Sequence, residues 1–268
     1  MLHHVVQTAP GAAPTRWMWL LHGILGTGPN LRTVARRLCA ARPDWGLLLP
    51  DLRHHGDSHD VDGDDTIAGC VADLDTLAAA VGVEVRTAIG HSFGGKVALA
   101  WGAAHEARGV PVDAVWALDV PPGRPELPLA LQSEVVAVVA ALRELPMPLP
   151  RRESVVELLA ARGFSAMLGQ WMTTNLRHGD GGFVWRFDLD GVERLLRDYA
   201  VTDLWPWLAS PDRRAEVHVV RAGRSDRWSD AELARFTGPR LHLHTMERAG
   251  HWVHVDDPDA LHALLLQA

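Results

Sequence analysis

The chain has 268 residues, 47% of them hydrophobic, and its 26 basic against 33 acidic side chains leave a formal net charge of −7. That length suits one large domain, or a core carrying an insertion, and an acidic balance with no long basic block excludes a surface built to track nucleic-acid phosphates. No apolar run approaches the ~20 residues a membrane span needs, and Met1-Leu2-His3-His4 does not begin a leader pattern, so a cytoplasmic protein is expected.

Residues 2–8 and 17–21 read as strands, rich in Val, Trp and Leu. Pro29 to Ala41 reads as a helix, with Leu31, Val34, Ala35 and Leu38 at helical spacing. Leu47-Leu48-Leu49 is a short buried strand ending at Pro50-Asp51. The loop 53–65 carries Asp57, Asp60, Asp62, Asp64 and Asp65 but lacks the distal Glu of a calcium loop, which predicts a solvated segment and no metal. Thr66 reads as the N-cap of a helix whose apolar face is Ile67, Val71, Leu74, Leu77, Ala78 and Val81. Cys39 and Cys70 fall in apolar helical patterns and read as small buried hydrophobes, without metal spacing or a disulfide framework.

Val83 to Ile89 is a strand feeding Gly90-His91-Ser92-Phe93-Gly94, and Gly95 to Ala107 reads as the helix that follows. Strand, G-x-S-x-G, helix is the setting in which a tight turn exposes a serine hydroxyl above a sheet. Ala114 to Leu118 is the next strand, ending at Asp119. Strand-helix alternation then breaks between 120 and 215, where Pro121, Pro122, Pro125, Pro128, Pro146, Pro148 and Pro150 punctuate the chain. Segments 129–145 and 152–162 read as helices, which predicts a mostly helical lid. Strands return at 217–220 and 241–246, and Asp257-Pro258 opens a last helix with Leu261, Leu264 and Leu265 on its apolar face.

Short buried strands alternating with helices predict an α/β fold, a mostly parallel doubly wound sheet. Its core is assigned to 1–120 and 215–268, with 121–214 as the lid. Such sheets bind ligands beyond the carboxyl ends of their strands. His22, Ser92, Asp119 and Asp226 all fall at such ends.

A serine hydroxyl needs a base to attack a carbonyl near neutral pH, and histidine titrates where a base is useful. Among fifteen histidines, His251 stands out in Ala249-Gly250-His251-Trp252, between the last strand and the last helix. A carboxylate must orient that imidazole. Asp226, in a turn after the penultimate strand, and Asp119, after the strand following the serine helix, both remain candidates. An oxyanion needs two converging N–H donors. Phe93 should supply one, and Ile24, on the loop Gly23-Ile24-Leu25-Gly26, the other. His22, Gly23, Leu25, His91 and Trp252 are expected to line the substrate site. Lys96, the only lysine, is expected to have a structural role; arginine supplies every other fixed positive charge, the mark of a GC-rich bacterial codon bias. Of eleven tryptophans, Trp171, Trp185, Trp205, Trp207, Trp228 and Trp252 lie in the lid or beside the acid and base loops, where some could wall an acyl pocket.

The order of these features, with Leu21-His22-Gly23-Ile24-Leu25-Gly26, Asp51-Leu52-Arg53-His54-His55-Gly56-Asp57-Ser58, Gly90 to Val97, Thr174-Asn175-Leu176, Phe183 to Phe187 and Ala249-Gly250-His251-Trp252, resembles the α/β-hydrolase superfamily. Within it the chain is similar to small bacterial YbfF-type esterases and a related mitochondrial abhydrolase-domain protein. The resemblance implies hydrolysis of carboxyl esters or acyl thioesters, with a small-molecule substrate and no cofactor, and the tryptophans add the expectation of small to medium apolar acyl groups. It also implies Asp119 together with Ser225 at the acid position, although this chain carries Asp226 where the wider superfamily has its acid. The same side chains would suit C–C bond hydrolysis or cofactor-free perhydrolysis. A non-catalytic ligand-binding module would be marked by loss of the Ser or the His, and both are present.

Overall fold

The computed structural model describes residues 1–125 and 134–267. Among them seven strands form one sheet: β1 (His4–Gln7), β2 (Arg16–Leu21), β3 (Trp45–Pro50), β4 (Val85–His91), β5 (Ala114–Leu118), β8 (Glu216–Ala222) and β9 (Leu241–Met246), in the spatial order β1-β3-β2-β4-β5-β8-β9. Only β1 runs antiparallel to its neighbour. Helices α1 (Arg32–Ala41), α2 (Ile67–Val81) and α3 (Phe93–Ala107) connect the first strands, and α10 (Val253–Asp256) and α11 (Pro258–Leu265) close the chain.

The central strands are apolar on both faces because helices cover both. Alternation along the strands sends Met18, Leu20, Leu47, Leu49, Ile89, Trp116 and Leu118 toward α1 and α11, where Leu38, Leu261 and Leu265 meet them. Trp19, Leu21, Leu48, Val115, Ala117 and Val219 face α2 and α3, packing with Leu74, Leu77 and Val97. β3 is buried at all six positions. Two features refine the sequence reading. The predicted helix from Pro29 begins as a 3-10 turn over Gly28–Leu31, and Thr66 caps α2 by accepting a hydrogen bond from Gly69 N–H at 2.9 Å.

Between β5 and β8 lie α4 (Glu134–Arg143), α5 (Glu153–Ala161), α6 (Ala166–Thr173), a hairpin of β6 (Leu176–Gly179) and β7 (Gly182–Trp185), α7 (Leu189–Val201) and α8 (Trp205–Leu208); the short α9 (Asp230–Leu233) follows β8. Residues 129–133 of the predicted helix 129–145, and Pro128, lie outside the described residues. The hairpin, α6 and α7 were not anticipated. The insert has an apolar centre of its own, including Val138, Leu142, Val155, Leu159, Met172 and Val192, which reaches Leu25 on the core.

Candidate active site

Ser92 stands between β4 and α3 with φ 52° and ψ −119°, a conformation that L side chains rarely adopt. The turn is closed enough to dictate its flanks. A Cβ on Gly90 would lie 2.1 Å from the carbonyl oxygen of Gly94, and one on Gly94 would lie 2.4 Å from that of His22. Only glycine fits at either position, and the serine side chain is left at the helix N-terminus above the sheet edge.

The loop after β9 carries His251 back over this turn. Its Nε2 lies 3.1 Å from Ser92 Oγ, and its Nδ1 lies 2.8 Å from Asp119 Oδ2. A carboxylate on Nδ1 requires the proton there, so Nε2 presents its lone pair to the hydroxyl. Asp119 has φ 47° and is fully buried. Its Oδ1 accepts from Ala222 N–H at 3.0 Å and from Trp228 Nε1–H at 2.8 Å. Burial by itself would raise the pKa of this carboxyl. The hydrogen bond and charge of His251, with the bonds from Trp228 and Ala222, outweigh it and hold the group below the usual carboxylate range. Burial also pushes the His251 imidazole below 6.5, against the pull of Asp119 and with the help of the Arg227 charge.

Asp226, the other candidate, is exposed and makes no hydrogen bond to His251 among the described residues. Ser225 has a buried Oγ with no hydrogen-bond partner among the described residues. Position in the sequence does not separate the two aspartates; the geometry joins Asp119 to the histidine.

The loop after β2 is built on two buried histidines. Leu52 N–H donates to His22 Nε2 at 2.9 Å, and His22 Nδ1–H donates to Gly23 O at 2.7 Å. Leu25 N–H donates to His55 Nε2 at 3.0 Å, and His55 Nδ1–H donates to Arg53 O at 2.8 Å. Each ring must accept on Nε2, so each must be neutral. Burial lowers His22 to about 4, and burial with the neighbouring His22 lowers His55 to about 3. Both nitrogens of His22 are therefore engaged, and it holds the loop instead of facing a substrate as expected. Leu25 is likewise turned into the insert's apolar centre, with φ 59° and its carbonyl bonded by Asn175 Nδ2–H at 2.8 Å. The N–H groups of Ile24 and Phe93 have no acceptor among the described residues. That of Phe93 is free because it opens α3.

His91 is buried, and its Nε2–H donates to the carbonyl of His251 at 2.7 Å. Trp252 packs edge-on against Trp171 of α6, with ring centres 5.1 Å apart. Both are half-buried and, like Ile24, pack against the insert's apolar centre. The other tryptophans are spent elsewhere: Trp185 stacks on Phe187, Trp205 and Trp207 donate to Glu232 and Glu106, and Trp228 serves Asp119.

Lys96, four residues past Ser92 on α3, is wholly buried. Its Nζ donates to the carbonyls of Gly123 (2.7 Å), Thr202 (3.0 Å) and Tyr199 (3.2 Å), and lies 4.2 Å from the Tyr199 ring centre. All three ammonium protons are used, so the insert is stapled near its start and near the end of α7 to the serine helix. The sequence points to a structural role for Lys96, and the partners Gly123, Tyr199 and Thr202, 27 to 106 residues away, are visible only in the structure.

Comparison with known proteins agrees with this architecture. The profile of the alpha/beta hydrolase family matches residues 8–264. The sn-1-specific diacylglycerol lipase ABHD11 of Mus musculus is 27% identical over 246 residues, covering 89% of this chain and 76% of its own. Esterase YbfF of Escherichia coli (strain K12) is 27% identical over 259 residues, covering 95% and 93%. Among solved structures, a marine microorganism esterase superposes with a TM-score of 0.84 at 22% identity, covering 99% of this chain and 98% of its own.

Proposed function

The chain belongs to the alpha/beta hydrolase family, and from that premise we propose that it is a serine hydrolase acting on carboxylic esters or acyl thioesters. The observation that carries this reading is the unbroken series Ser92 Oγ, His251 and Asp119, at 3.1 Å and 2.8 Å, on the carboxyl edge of a parallel sheet. Esterase YbfF and the ABHD11 lipase add weight as relatives by name.

In this mechanism His251 Nε2 takes the Ser92 proton as Oγ forms a bond to the substrate carbonyl carbon. The N–H groups of Ile24 and Phe93 receive the oxyanion. As the carbon–oxygen or carbon–sulfur bond breaks, His251 returns the proton to the leaving alcohol or thiol. Water, deprotonated by His251, then attacks the acyl-enzyme and releases the acid and Ser92. Asp119 stays ionised throughout and stabilises the imidazolium. Residues 1–120 and 215–268 form the catalytic core, with 121–214 as its cap. Trp252, Trp171 and Ile24 wall the acyl site, which suits small to medium apolar acyl groups.

The test is labelling with a fluorophosphonate probe, run beside hydrolysis of acetyl to hexanoyl esters and thioesters. The wild type should label at Ser92 and hydrolyse these substrates, and Ser92→Ala should do neither. Wild-type turnover in Ser92→Ala would sink the proposal, and rates that rise with acyl polarity and fall steadily from acetyl to hexanoyl would remove the apolar pocket.

A further inference from the structure

We propose that His91 is a positioning residue for His251, acting on the base through the base's own main-chain carbonyl. The inference rests on the serine-hydrolase reading for its consequence in turnover, not for its geometry. His91 is the last residue of β4, two positions beyond Ile89, so strand alternation turns both toward the face that carries α10 and α11. There its Nε2–H meets the carbonyl of His251 at 2.7 Å. No backbone N–H is bonded to that carbonyl among the described residues. The next carbonyl, that of Trp252, is held by Val255 and Asp256 N–H at 2.8 and 2.9 Å. His91 thus supplies the tie that helix α10 does not yet give to the residue bearing the imidazole.

The ring also fills the space between two loops. Its centre is 4.7 Å from that of His251 and 5.0 Å from that of His254. On its other side Nδ1 lies against Gly23, where a Cβ would stand 3.1 Å from it. One side chain therefore touches the base loop and the loop bearing Ile24, and it sets the spacing between them. It does so as a neutral ring. Burial, the facing His251 and His254, and the Arg227 charge all disfavour its protonation, against the single pull of the His251 carbonyl. Its N–H remains a donor, and no second positive charge arises beside the imidazolium during turnover.

The pair His91→Gln and His91→Asn tests this. The two amides differ by one methylene: the Gln N–H reaches the place of Nε2–H, and the Asn N–H falls short of the carbonyl. The readouts on the full chain are ring-nitrogen NMR titration of His251, kcat and KM on a butyryl ester, and thermal midpoint. We expect His91→Gln to keep the His251 titration and most of kcat. His91→Asn should lose about 10²-fold in kcat with a smaller change in KM, the scale of a base displaced by about 1 Å. Its His251 pKa should move up toward 6.5, because a loosened loop is better hydrated. If His91→Asn does not fold, His91→Met, which also lacks the donor, replaces it. Identical His251 titration and kcat in the two variants overturns the proposal. So does a lowered midpoint in both with an unmoved titration, since that marks packing alone. If the wild type neither labels at Ser92 nor cleaves esters, the serine-hydrolase reading fails, and the His251 titration still decides whether His91 positions it.

Discussion

The sheet and the insert are held by different physics. The sheet is secured by ladders and by apolar burial on both faces, spread over dozens of side chains. The insert adds Leu195, Leu204, Trp205 and Leu208 to one of those layers, but much of its seating is polar and local. Lys96 binds three of its carbonyls, Asn175 Nδ2–H reaches Leu25 O, Asp198 accepts from Ile67 N–H at 2.7 Å, and Arg186 pairs with Asp57 at 2.9 Å. Burial spread over many residues tolerates the loss of any one contact. Seating concentrated in a few donors does not. The groups proposed to react stand on the tolerant part, and the walls proposed around them include the sensitive part.

The sharpest division concerns two aspartates at neighbouring strand ends. Asp119→Asn should lower kcat by ~10⁴-fold, the scale for removing the carboxylate that fixes an imidazole tautomer, with little change in thermal midpoint. Asp226→Asn should leave turnover unchanged within error. Equal losses in both would erase the distinction. Next in size is Lys96→Met, which keeps the length and removes the three donors. It should cost about 2–4 kcal/mol by urea unfolding, for buried carbonyls left without partners. Hydrogen exchange should quicken in 195–205 before it does in β4 and β5. If the sheet and the insert loosen together, the insert is not separately seated.

What was legible in the sequence follows the same division. The core strands announce themselves as continuous apolar runs, because both faces are buried, and Thr66 marks its helix by side-chain chemistry. Ser92 is legible because its flanking glycines are the residues its turn requires, and His251 because it stands between the last strand and the last helix. Asp119 and Asp226 are not separable by position, since both follow strands at the same edge. What separates them is the φ of 47° at Asp119 and the donors Ala222 and Trp228, more than a hundred residues away in the chain. The insert's hairpin is obscured by Arg177 and His178 in four-residue strands, although the Asp180-Gly181 dipeptide is a hairpin turn signal. The tie from His91 spans 160 positions, and no local pattern encodes it.

A smaller effect separates the two parts by pH. His22 and His55 sit in the core at about 4 and about 3, below the 6.5 of the unfolded chain, because burial disfavours the charged ring, at His55 with the neighbouring His22 adding to it. The unfolded chain therefore binds more protons over that interval. Their contribution is fully present above pH 6.5 and is lost as pH falls through about 4 and then about 3. The unfolding free energy from urea titration should drop between pH 7 and 5.5 by about 1 kcal/mol per ring. His22→Gln, which can accept at a similar position, should flatten that slope, and an unchanged slope would mean that the loop's histidines are not the groups that titrate.

The smallest effect tests the rim of the insert, where charge is exposed. Arg194 of α7 pairs with Asp65 across the junction and lies near Asp188, and about half of its side chain is in solvent. An ion pair this wet is weak and is screened by salt. Arg194→Ala should therefore lower the urea midpoint only slightly at low salt and by less still in about 0.5 M NaCl. The Lys96→Met deficit should persist at the same salt, because its donors and acceptors are shielded from ions. A salt response shared by both variants would place the two contacts in the same environment and dissolve the contrast between a buried staple and a solvated rim.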